Sequence, residues 1–76
     1  MGTPQLNKWL AAAAYAKADP TLIPNHRGTV DRALKAIRAE NTALLEKIGD
    51  APTLEDVVTS LRTELVAIDA ALQVYA

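Results

Sequence analysis

The chain has no cysteine and no phenylalanine, one tryptophan, one histidine, two tyrosines and three glycines in 76 residues. Each shortage narrows the field. Without cysteine there is no disulfide staple and no thiolate to act as nucleophile or metal ligand. A single histidine is too few for a zinc-type cage, so no metal and no cofactor is expected. No stretch approaches the roughly 20 apolar residues of a membrane span, and no membrane partner is expected. The weakly apolar run from Trp9 to Ala16, preceded by Lys8 and ending Ala14-Tyr15-Ala16, has the outline of a secretory signal but only one Leu and four consecutive Ala. That composition suits a helix better than a secretory core, so a cytoplasmic or otherwise intracellular protein is the expectation.

What the chain does have is helix-forming apolar surface. Half of it is hydrophobic, mostly Ala, Leu, Val and Ile with few aromatics, which favours helix over sheet. The pattern predicts an all-α single domain: a helix over about 4–18, a linker over 19–28, a helix over about 29–48, a turn over 49–52 and a helix over about 53–75. In the last helix Leu54, Val58, Leu61, Leu65, Ile68, Leu72 and Tyr75 alternate at steps of four and three, an a/d seam. Thr53 is placed as its N-cap, with Glu55 and Asp56 facing the positive end of the helix dipole. The second helix carries a matching seam of Val30, Leu34, Ile37, Asn41, Leu44 and Ile48 and stops at Gly49, which tolerates positive φ. Two seams joined by a short turn make an antiparallel hairpin. A register set by that turn puts Arg38 level with Glu64 and Glu40 level with Arg62. The first helix offers Leu6, Trp9, Leu10 and Ala13 on one side and is expected across the open end of the hairpin.

The net charge of −1 conceals an asymmetry. Residues 1–38 carry six Lys/Arg and two Asp, a net of +4, whereas residues 39–76 carry two against seven acids, a net of −5. The two halves attract each other, within one chain or between chains.

Two groups of residues are candidate contact sites. Trp9, Tyr15, Val66, Ala70 and Val74 form the candidate protein interface. Tryptophan is a frequent binding anchor, and Val66, Ala70 and Val74 lie on the third helix opposite its seam, where the hairpin partner does not reach. Asn25, His26, Arg27, Arg32 and Lys35 form a basic group at the start of the second helix, where free N–H groups and cations suit a phosphate or carboxylate. A solvated helix face with Thr29 as its cap accounts for the same residues. Asn41, a polar residue in an apolar seam, is the candidate for fixing register, unless Leu45 takes the inner place and leaves Asn41 at the edge.

Catalysis finds no constellation: His26 has no nucleophile near it, and Glu55 and Asp56 are explained by the helix start. The stretch Leu61-Arg62-Thr63-Glu64-Leu65-Val66-Ala67-Ile68-Asp69 resembles the opening helix of helical chorismate mutases. None of the later basic residues of such an active site follows it, so the resemblance implies a shared heptad pattern and no activity. The expectation is a non-enzymatic interaction or assembly module that binds another protein and self-associates. A helical binder of a small anion or nucleotide is the alternative, with nucleic acid a weaker fit because acidic residues interrupt the basic stripe.

Overall fold

The computed structural model describes residues 4–24, 27–49 and 52–76. Among these there are three α-helices and no strand: α1 over Pro4–Ala18, α2 over Arg27–Ile48 and α3 over Glu55–Val74. Asn25, His26, Asp50 and Ala51 lie outside the described residues.

Local chemistry sets the helix boundaries. α1 carries Lys17 in its last turn, where a cation meets the negative end of the dipole. It ends ahead of Pro20, whose ring disfavours helical backbone at the residue before it. Pro20–Leu22 forms a 3₁₀ turn capped by Asp19, whose carboxylate accepts from the Thr21 backbone N–H at 3.1 Å and from its hydroxyl at 2.6 Å. α2 starts at Arg27, earlier than expected, so Gly28 and Thr29 lie within its first turn and Thr29 is no cap. It ends as expected at Gly49, which has φ of 61° and donates to the Leu45 carbonyl at 3.0 Å. The expected capping by Thr53 is corrected. Pro52–Leu54 forms a 3₁₀ turn, the cap position falls on Leu54 and no side chain bonds there. Glu55 and Asp56 do occupy the first turn of α3.

α2 and α3 form the antiparallel hairpin, bridged by Arg27, Arg38 and Asn41 of α2 with Tyr75, Asp69 and Glu64 respectively. The expected partners shift: Arg38 meets Asp69 rather than Glu64, and Glu64 meets Asn41. Side chains lean towards the N-terminus of their own helix. In an antiparallel pair they therefore lean towards each other along the axis, and bonded partners sit further apart in height than level Cα atoms.

α1 packs on both α2 and α3. It lies along the hairpin rather than across its end. Leu10, Ala13, Ala14 and Lys17 share one groove with Ala67, Ala70, Ala71 and Val74, and Ala16, Lys17 and Ile23 share the next with Ala70, Gln73 and Val74. Successive α1 residues thus accompany successive α3 residues, so the two helices run parallel. At this open end Leu6, Ala13, Ala16, Val30, Leu34, Ile68, Ala71 and Tyr75 are buried in one core, with Trp9, Leu10, Ile23, Ile37 and Leu72 packed around it. The molecule measures 45 × 19 × 17 Å. α1, at 15 residues or about 22 Å, is shorter than α2 at 22 residues or about 33 Å. Among the described residues the hairpin end near the turn is accordingly two helices thick.

Candidate functional site

The structure separates the residues of the candidate interface. Trp9 is partly buried and packed against the core, with the Lys8 ammonium 5.0 Å from its ring centroid. Its indole N–H is buried with no acceptor among the described residues. Tyr15 is on the far side of α1 and 69% exposed. Val74 is half-buried beneath α1, whereas Val66 is 71% exposed with Ala70 exposed beside it. α1 therefore takes the Ala67, Ala71 and Val74 side of α3 and leaves Val66 outward, with Ala70 exposed at the rim of the α1 grooves. Between them runs the α1–α3 groove, about 300 Å³ and walled mainly by alanines, with Lys17 its single charge.

The basic group is brought together in part. Arg27, Gly28, Asp31, Lys35 and Arg38 of α2 line a groove of about 450 Å³ with Leu72, Gln73, Tyr75 and Ala76. Arg32 is exposed and stays outside this lining. Asn25 and His26 fall outside the described residues. Each cation already has a partner within the chain. An Arg27 Nη donates to the Tyr75 carbonyl at 2.5 Å, Arg32 Nε to the Gly28 carbonyl at 3.1 Å, Lys35 pairs with Asp31 at 2.9 Å and Arg38 with Asp69 at 3.4 Å. An incoming anion has to displace or share these contacts. Arg27 acts structurally as well, tying the start of α2 to the end of α3, where the carbonyls that close a helix lack intrahelical donors.

Asn41 is buried, at 6% exposure. Its Nδ2 donates to Glu64 Oε1 at 3.2 Å. Leu45 is half-buried and Leu44 exposed, yet Asn41 lies inside rather than at the edge. An α-helix turns slightly less than a strict heptad requires, and over two heptads the drift moves Leu44 off the seam and Leu45 onto it.

One feature has no counterpart among the candidate residues. Near the turn Leu44, Leu54 and Val57 are exposed. Asp56, Val57, Ser60, Leu61 and Glu64 there line a groove of about 190 Å³. Helical periodicity marks Leu54 and Leu44 as core residues, and the missing signal was length: the first helix is too short to cover them. No helix of the described residues is long and apolar enough to cross a membrane. No protein-family model, no curated protein and no solved structure matches this chain.

Proposed function

We propose that the chain is a non-enzymatic protein-interaction module that assembles with a second copy of itself across the outer face of α3. The observation that carries this is Val66, a branched apolar side chain 71% exposed beside Ala70, on a chain too small to cover all its apolar surface with its own helices. The small, exposed residue at 70 lets a neighbouring helix approach closely. Charge selects the orientation. Residues 40–64 around the turn hold two cations and six acids, a net of −4, while the rest of the chain holds six cations and three acids, a net of +3. Two copies side by side and antiparallel set each acidic turn end against a basic open end. Such a contact is self-complementary and closes as a dimer.

Light scattering coupled to size exclusion at micromolar concentration tests this. The wild type is expected to elute as a dimer, and Val66→Glu with Ala70→Glu as a helical monomer, because both side chains lie outside the core. A wild-type monomer, or a dimer indifferent to these substitutions, overturns the reading. The anion-binding alternative rests on the cation-lined groove at Arg27, Lys35 and Arg38. It is weakened by the internal partner that each of these cations holds.

A further inference from the structure

α1 lies against α2 and α3 along only part of their length, and the side-chain lines that receive it continue past its N-terminus. On α3, Ala71 and the pair Ala67 and Val74 line the α1 groove. Stepping back along α3 by heptads, the line of Ala71 passes through Glu64 to Val57, and that of Val74 and Ala67 reaches Ser60. Val57, Ser60 and Glu64, with Asp56 and Leu61, are the walls of the groove near the turn. On α2, Leu44 follows Ile37, which packs against the core, by one heptad. Leu44 is 47% and Val57 44% exposed. The vacant stretch thus has the apolar lines of the stretch that α1 fills, but no helix of the described residues lies in it. Its polar character differs. Asp56 and Glu64 stand in its wall, and Glu40, Glu46, Glu55 and Asp56 have no ion pair among the described residues. Lys47 and Arg62 are the only cations between residues 40 and 64.

We propose that this turn-end groove binds a basic amphipathic helix of another protein, laid end to end with α1 so that the hairpin carries a third helix over its whole length. Apolar side chains of that helix cover Leu44, Val57 and Leu61, and its flanking Lys or Arg residues meet Asp56, Glu64 and Glu40. A second copy of the chain is the poorer occupant here, because its basic helices already have their apolar stripes buried in their own core. This surface is separate from the Val66 and Ala70 face, and it stands whether or not the protein dimerises.

The probe is an amidated synthetic peptide of about fifteen residues, with leucines at helical spacing among lysines. A peptide with glutamates in place of the lysines and a scrambled leucine-lysine peptide serve as controls. Each is titrated into the isotope-labelled full chain while backbone amide shifts are followed by NMR. The ordered lysine peptide is expected to shift amides of residues 40–64 and leave those of residues 66 and 70 in place. Leu44→Gln with Val57→Gln should weaken it by about tenfold or more, since two apolar contacts are lost. Asp56→Asn with Glu64→Gln should weaken it several-fold and flatten its salt dependence. No shifts, shifts centred elsewhere, or equal binding of the glutamate or scrambled peptide overturns the proposal. Concentration-dependent shifts of Leu44 and Val57 without peptide assign the groove to a second copy and overturn it too. Should either double variant fail to fold, the shift map of the wild type and the two control peptides decide alone. The Val66→Glu and Ala70→Glu experiment reads the dimer separately, so failure of one reading leaves the other standing.

Discussion

At the open end of the molecule three helices enclose Leu6, Val30, Leu34 and Ile68 almost completely, whereas near the turn the same α2 and α3 leave Leu44, Leu54 and Val57 in contact with water. The two regions share helices, apolar periodicity and a continuous seam. They differ in the presence of α1, and with it in what a leucine at a seam position contributes. A heptad pattern marks where apolar surface is available, and the third layer decides how much of it is buried. The difference in charge follows the same division, basic where α1 completes the fold and acidic near the turn.

The comparison breaks most readily if a leucine counts the same at both ends. Leu34→Ala removes a fully buried side chain from the three-helix core and is expected to cost about 2–5 kcal/mol. That approaches the whole stability of a domain this small, about 4–11 kcal/mol. Leu44→Ala is expected to cost under about 1 kcal/mol, because its side chain is already half in water. Urea denaturation followed by circular dichroism measures both. Similar losses would mean that the turn end is covered in solution, by a second copy or by a closure that this conformation lacks.

Asn41 stands at the border between the regions, buried but outside the main apolar cluster. Asn41→Leu adds apolar contact where α1 gives out, and it removes the donor to a Glu64 carboxylate that is only partly buried and can turn to water. Burying the leucine should outweigh the lost bond, raising stability by about 1 kcal/mol and with it the melting temperature. The register role proposed for Asn41 predicts a broader distribution of oligomers by size exclusion alongside. A lowered melting temperature would show that the Asn41–Glu64 contact holds the hairpin together at this point.

The hairpin was legible in the residues themselves. Val30 and Leu34 on one helix and Leu61, Ile68 and Tyr75 on the other follow the expected seams, and Gly49 ends α2 with the positive φ expected of it. What escaped depended on three-dimensional reach. Thr53 has the chemistry of an N-cap, but in the sequence Pro52-Thr53-Leu54 a 3₁₀ turn precedes α3 and the cap falls one residue on. Val66 and Val74 both lie off the seam, about 80° apart on a helical wheel, yet α1 runs past one and covers the other. For the cations of α2, pairing of Lys35 with Asp31 at i,i+4 was visible in the sequence, while capture of Arg27 by the Tyr75 carbonyl, 48 residues away, was not.

The smallest expected effect concerns pH and belongs to the closed end alone. Tyr75 is buried in the core, and loss of hydration pushes its phenol above the ordinary value of 10.0. The fold holds the neutral phenol, while the unfolded chain releases the proton at the ordinary value. Its contribution to stability is therefore fully present below pH 10.0 and is lost as pH rises through the higher folded-state value. Tyr75→Phe isolates this group. It keeps the ring in the core and removes the titrating hydroxyl, leaving the rest of the chain in place. Denaturation midpoints of the two proteins should run parallel at neutral pH and change their separation as pH climbs above 10.0, the wild type losing more. Parallel curves throughout would mean that the Tyr75 hydroxyl reaches water in solution, and that the closed end is looser at its rim than its buried leucines suggest.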